Sequence, residues 1–261
     1  MKKYVIGDIH GAYKALVQVL ERSFFDYEED ELIVLGDICD GWPETCECFE
    51  ELLKIKKLKI LLGNHDQWLQ RFIIYGKNFE QLDNWCQHGG YATILSYKGK
   101  EDLLIKHGEF LNTADLAYVD DNDNAFVHAG VTSKDNYLDK QSDYLWTRYF
   151  YDNAITWHKQ NYKFSVKLSE NSDRYVKEWF IGHTPTTSFK KDYRSNKPIK
   201  LANITFMDTG AAFNGVLSML NLETSQLYQS DRVCELYPND KGRNDKSFNQ
   251  QKILRDNTSQ W

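Results

Sequence analysis

Little in this chain suits a membrane, an export route or a disulfide-held scaffold. No apolar run approaches the roughly 20 residues that a bilayer-spanning helix needs, and Met1-Lys2-Lys3 passes straight into the first apolar run without a signal-like stretch. The five cysteines, Cys39, Cys46, Cys48, Cys86 and Cys234, are odd in number and irregularly spaced. That excludes a fully paired framework and fits reduced thiols. Cys46-Glu47-Cys48 lacks metal spacing, and on a helix expected from about Pro43 to Ile55 residues two apart do not share a face. Excess positive charge is also missing. With a formal net charge of -6 the chain has no diffuse attraction for nucleic acid, and a polynucleotide would require a local basic groove. The expectation is a soluble, cytoplasmic protein with no membrane contact.

What is present is a core and a scattered polar pattern. At 261 residues, 41% hydrophobic and 14% aromatic, the chain can bury one large core. Five short apolar runs, Tyr4-Val5-Ile6, Leu32 to Leu35, Leu58 to Leu62, Ala125-Phe126-Val127 and Trp179-Phe180-Ile181, read as strands. Each is followed at once by a polar block with glycine: Gly7-Asp8-Ile9-His10-Gly11, Gly36-Asp37-Ile38-Cys39-Asp40, Gly63-Asn64-His65-Asp66, His128-Ala129-Gly130 and Gly182-His183-Thr184. The carboxyl ends of strands are where α/β sheets collect ligands, because side chains from several loops converge there.

Asp8, His10, Asp37, Asn64, His128 and His183 offer oxygen and imidazole nitrogen without a thiolate, a set for manganese, iron or zinc. Asp8 and His10, two apart in extended chain, point the same way and can grip one ion. Six ligands exceed what one ion needs, and a carboxylate such as Asp37 can bridge two ions held ~3.5 to 4 Å apart. Four cationic charges less two carboxylates and a bridging hydroxide leave one net positive charge, a site built for a phosphate ester.

Helices are expected between these runs, from Ala12 to Ser23, Glu44 to Lys57 and Gln67 to Tyr75, the alternation of an α/β chain. Residues 83–118 look like a helical or mixed insertion in which Trp85, Tyr91, Ile94 and Leu95 pack a local core. The aromatic stretch from Thr132 to Lys177 can overhang the site or form an ordinary packed subdomain. From Ile199 the strand pattern resumes as a closing antiparallel ribbon, with Asp208-Thr209-Gly210 at its first turn. The reading is one catalytic unit over residues 1–237, with an insertion at about 132–177, and a loosely structured tail over 238–261 containing a short helix near Phe248 to Leu254. His107-Gly108 follows an apolar run and mimics a ligand block. It is set aside as structural, and His88 and His158 as surface or loop residues.

The ordered blocks resemble the calcineurin-like metallophosphoesterases, and within them the phosphoprotein phosphatase branch of bacterial and phage serine/threonine phosphatase type. The family pattern runs GD-x-HG, GD-x-x-DRG, GNH(D/E), H(A/G)G and GH(T), and the match extends from Lys3 to about Gly215. The resemblance implies an α/β fold, a two-sheet β sandwich flanked by helices, with a dinuclear centre at its edge. It implies that Asp8, His10 and Asp37 hold one ion and Asp37, Asn64, His128 and His183 the other, most simply two Mn2+, with Fe or Zn as alternatives. It also implies that Asp40 pairs with His65, whose imidazolium protonates the leaving oxygen. A nearby carboxylate favours the charged imidazole, which agrees.

The departures from the pattern bear on substrate. Gly41 stands where the family has arginine, and Leu62 replaces the arginine that often precedes GNH. Leu145-Trp146-Thr147-Arg148 looks like the family's Leu-Trp-Ser-Arg, making Arg148 the candidate phosphate contact, with Arg71 and Arg174 as possible substitutes. Asp208 is expected to orient a ligand indirectly or to cap a turn. Symmetrical dinucleoside polyphosphate hydrolases typically carry alanine at the Asp40 place and a Leu-His pair where this chain has Gln67-Trp68. The expected activity is therefore phosphomonoester hydrolysis on a phosphoprotein, nucleotide or small phosphoester. Hydrolysis of dinucleoside polyphosphates, phosphodiester or RNA-end chemistry, and an idle metal- or phosphate-binding module are the alternatives.

Overall fold

A computed structural model of the chain describes residues 1–245, so the helix expected near Phe248 to Leu254 lies outside the described residues. Two five-stranded sheets stack face to face. The first has the order β10-β9-β1-β2-β3, from β1 (Lys3–Ile6), β2 (Glu31–Val34), β3 (Lys57–Ile60), β9 (Ser218–Asn221) and β10 (Leu227–Gln229). The second runs β4-β5-β6-β8-β7, from β4 (Ala117–Val119), β5 (Asn124–Val127), β6 (Glu178–Ile181), β7 (Ile199–Leu201) and β8 (Ile204–Phe206).

Alternation along each strand builds the layers. Val5, Ile33 and Leu61 of the first sheet meet Phe126 and Met207 of the second in a sealed middle layer, where Phe126 and Phe180 stack at 5.1 Å. Burying each such side chain contributes about 1.5 to 3 kcal/mol. The opposite face of the first sheet, with Tyr4, Ile6, Leu32 and Val34, packs under α1 (Tyr13–Arg22), α2 (Thr45–Leu52), α3 (Asn64–Tyr75), α4 (Leu82–Trp85), α5 (Tyr91–Ser96) and α6 (Glu101–Leu111). The outer face of the second, with Val127, Trp179 and Ile181, lies under α7 (Tyr149–Lys159), anchored by the fully buried Phe150. The result is the helix-flanked two-sheet sandwich expected.

Register explains why the polar blocks meet. Ile6 pairs with Val34 and Val34 with Ile60, all parallel, so three strands end side by side. Val127 pairs with Ile181 and Ile181 with Phe206 in the same sense.

Several boundaries differ from expectation. α2 stops at Leu52, because Lys57 already begins β3. α3 starts at Asn64, three residues early, since Asp66 Oδ2 accepts the Gly63 N–H at 3.1 Å and closes its first turn. The closing ribbon is split between sheets: β8 joins β6 in parallel while β9 and β10 pair antiparallel beside β1. Asp208 therefore sits where the chain crosses from one sheet to the other. The stretch from Thr132 to Lys177 is largely the packing around α7, yet Trp146 is left 43% exposed against Trp68. Within the segment from 238 to 245, Gly242 is buried and the Arg243 N–H donates to Ala212 O at 2.9 Å.

Candidate metal centre

Four residues of the polar blocks sit in left-handed backbone: His10 (φ 54°), Asp37 (φ 50°), Asp40 (φ 75°) and His183 (φ 65°). Such strain persists only where surrounding structure enforces it, and it gathers at functional sites. The motif glycines serve close approach. A side chain at Gly63 would overlap Asp37, and one at Gly182 would overlap Asp8.

Asp37 is the centre of the arrangement. Its Oδ2 lies 3.6 Å from His10 Nε2 and its Oδ1 lies 3.4 Å from His128 Nε2, so its two oxygens face different imidazoles. The His65 backbone N–H, in the first turn of α3, donates to Oδ1 at 2.9 Å. Burial pushes the Asp37 carboxyl up, but His128, His65 and His10 outweigh it and hold it well below the usual range. Asp8 Oδ2 is 4.0 Å from His10 Nε2 and accepts the His183 N–H at 2.9 Å. Asn64 Oδ1 faces His128 Nε2 and His183 Nδ1, each at 3.0 Å. All six residues expected as ligands are thus brought together, four from the strand ends of the first sheet and two from those of the second.

The donor set fits a divalent cation. Asp8, His10 and Asp37 form one group whose potential ligand atoms lie within 4.8 Å of one another, and Asp37, His128 and His183 form another, with Asp37 common to both. Among the described residues Asp8 Oδ1 is buried with no hydrogen-bond partner, and burial together with Asp208 raises the Asp8 carboxyl well above its ordinary range. His10 Nδ1 lies against the Asp40 and Cys39 carbonyls at 2.9 and 3.1 Å, and His128 Nδ1 against the Leu35 carbonyl at 2.7 Å. Those contacts place the ring protons on Nδ1 and orient Nε2 inward. Oxygen and imidazole donors converging without a thiolate suit hard or borderline ions.

Beside this cluster, His65 Nδ1 meets Asp40 Oδ2 at 2.7 Å. Asp40 also accepts the Trp85 indole N–H at 2.6 Å and the Thr93 hydroxyl at 2.7 Å. Burial raises the Asp40 carboxyl to about 7 in spite of those two donors. Burial, reinforced by the positive charge of Arg243, also lowers His65 to about 3, outweighing Asp37. Desolvation thus dominates the pair, where the sequence alone suggested that the carboxylate would keep the imidazole charged.

Arg148 lies at the N-terminal end of α7 with Nη1 3.4 Å from Thr184 Oγ1, next to His183. Asp208 is buried, and its Oδ1 accepts the Gly210 N–H at 2.8 Å, the turn-capping alternative. Arg174 pairs with Asp123 at the far edge of the second sheet, away from the cluster. Arg71 is exposed and lines a cleft of about 540 Å3 with Gln67, Trp68, Tyr75, Phe79 and Trp146. His107 lies inside α6, hydrogen-bonded to Tyr97 and Glu50, and takes no part. Sequence reasoning missed Trp85 and Thr93, which carry no motif. It quoted Asp66 without a role, although Asp66 Oδ1 accepts the Ile38 N–H at 2.9 Å and the Cys39 N–H at 3.3 Å and so ties two blocks together.

A two-sheet fold with oxygen and imidazole donors at the strand ends defines a metal-dependent phosphoesterase. The pattern of the calcineurin-like phosphoesterase family matches residues 1–195, and the chain belongs to that family. It is a hydrolase of phosphoric esters. It is 24% identical to serine/threonine-protein phosphatase 1 of Salmonella typhimurium over 226 residues, 84% of this chain and 91% of that relative. It is 28% identical to the symmetrical bis(5'-nucleosyl)-tetraphosphatase of Pasteurella multocida over 133 residues, 45% of this chain and 47% of that one, so it spans only about half of that relative. Among solved structures, a metallophosphoesterase from Sphaerobacter thermophilus superposes with a TM-score of 0.51 at 17% identity, covering 89% of this chain and 88% of the other. That likeness concerns the fold. Among the described residues no helix is long and apolar enough to cross a membrane.

Proposed function

We propose that the chain is a phosphomonoesterase of serine/threonine phosphatase type, with Asp8, His10 and Asp37 holding one divalent ion and Asp37, Asn64, His128 and His183 a second, most simply Mn2+ with Fe or Zn as alternatives. When bound, the ions supply Lewis acidity, which acidifies water and neutralises charge on the phosphoryl oxygens. The chain's own residues do the rest. Asp37, fixed by the His65 N–H, divides its oxygens between the two ligand groups. Asp40 holds His65 by Nδ1, which leaves Nε2 to deliver a proton to the leaving oxygen. An arriving phosphate anion favours the imidazolium and so raises His65 towards the range of a working acid. Arg148 takes the phosphoryl oxygens in bidentate fashion from the His183 side. Asp208 acts indirectly, through Asp8.

The observation that carries this reading is the buried Asp40–His65 contact of 2.7 Å adjoining Asp37, since a monoester leaving as an alkoxide needs a proton. The phosphatase relative, matched over most of both chains, supports it. A nucleotide substrate is the second reading. It is favoured by the cleft of Trp68, Trp146 and Arg71, because the Trp68 ring lies 5.0 Å from His65 and could flank a planar leaving group. We place the protein in the cytosol, which suits five free cysteines. The test offers the manganese-loaded protein para-nitrophenyl phosphate, its bis ester, a phosphoserine peptide and diadenosine tetraphosphate. The monoester and the peptide are expected to turn over fastest. Faster turnover of the bis ester or of the dinucleotide overturns the assignment.

A further inference from the structure

The guanidinium absent after Asp40 has a counterpart from the other end of the chain. Gly41 (φ 115°) leaves an open place beside Asp40, and Arg243 fills it: a Cβ at Gly41 would lie 3.2 Å from Arg243 Cγ, and a Cβ at Gly89 would lie 3.2 Å from the same atom. Gly41 and Gly89 are themselves joined, N–H to carbonyl, at 3.1 Å.

Arg243 is held there by built structure. Its N–H donates to Ala212 O at 2.9 Å. The preceding Gly242 (φ 54°) presses against Trp42, so that a Cβ there would come within 2.6 Å of the indole. Trp42 is fully buried, donates its own N–H to Ala211 O at 2.7 Å and stacks on Tyr237 at 5.2 Å. The guanidinium carbon sits 5.2 Å from the centre of the Phe213 ring, a cation–π platform that leaves its N–H groups free to face an anion. Among the described residues its Nε is buried with no hydrogen-bond partner. A buried donor without an acceptor is unfavourable unless something else completes it. Beyond the effect of burial, the positive charge is felt at Asp40, His65, His10 and Asp208, whereas Arg148 is felt at His183.

We propose that Arg243 is a substrate-phosphate contact on the Asp40 flank of the site, doing from the C-terminal segment what the residue at position 41 does not. It rests on the reading of the site as a phosphomonoesterase, and its ligand is the phosphoryl dianion. A planar fork of N–H donors matches phosphate oxygens in pairs. With Arg148 serving the His183 flank, the two guanidiniums reach the phosphoryl group from separate segments, and activity depends on the chain beyond residue 241.

The test uses the full chain loaded with manganese, as wild type, Arg243→Gln and Arg243→Lys, with inorganic phosphate binding read by calorimetry and manganese content measured alongside. Arg243→Gln is expected to weaken phosphate about tenfold or more and to raise KM for para-nitrophenyl phosphate more than it lowers kcat. Manganese content should stay unchanged, and Arg243→Lys should recover part of the loss. Unchanged phosphate affinity in Arg243→Gln, or equal losses in Gln and Lys, overturns the role. A wild-type protein that binds phosphate yet hydrolyses no monoester would instead overturn the phosphatase reading, leaving the binding comparison to judge Arg243.

Discussion

The two sheets divide the labour unequally. Loops of the first sheet carry Asp8, His10, Asp37 and Asn64, and with them the Asp40–His65 pair; loops of the second carry His128 and His183. The first sheet's side is also the more heavily roofed, since α3 and the segment through Trp85 and Thr93 close over the Asp40–His65 pair. On the second sheet the site's edge is open enough that Arg148 stays exposed. Both carboxylates that belong to the two ligand groups thus come from one sheet, while two of the three inward imidazoles come from the other. Neither half can assemble the complete donor set alone, so the cluster exists only when the sandwich is closed.

That division can be broken most sharply at Asp37, the residue shared by both groups. Asp37→Asn is expected to lose manganese and to lower turnover by about 10^3-fold or more; metal analysis beside rate measurement checks it, and full metal retention would contradict the shared role. His65→Ala, on the same sheet but off the ligand groups, should lower turnover by about 10^2 to 10^4 while manganese stays in place. Trp85→Phe removes one donor to Asp40 and keeps an aromatic, though smaller, ring at this buried position. Turnover should fall about tenfold to a hundredfold, with a stability loss of about 1 to 3 kcal/mol by denaturant melting. The smallest effect belongs to the far edge of the second sheet, where Arg174→Ala cuts an exposed pair with Asp123. It should change turnover by less than about twofold.

Legibility followed distance along the chain. Each residue expected as a ligand lies within a few residues of a strand end, as Asp8 does after Ile6 and His183 after Ile181, so apolar run, glycine and polar donor could be read together. The start of α3 was missed because Asn64 and His65 form its first turn, and a helix that opens on polar motif residues hides its own apolar period. The groups that hold Asp40 are 45 and 53 residues away, on Trp85 and Thr93, and nothing local marks them. The closing strands were legible as strands but not as members of different sheets, because β8 and β9 have the same local pattern and differ only in partner.

By itself the sequence determined the strands, the donors at their ends and hence the kind of chemistry, because these follow from side-chain period and residue type within short windows. Only the tertiary structure decided which donors face one another, that desolvation governs the Asp40–His65 pair, and that Arg243 comes to lie beside Gly41. Those outcomes depend on burial and on contacts between distant segments, and neither is a property of any short stretch of chain.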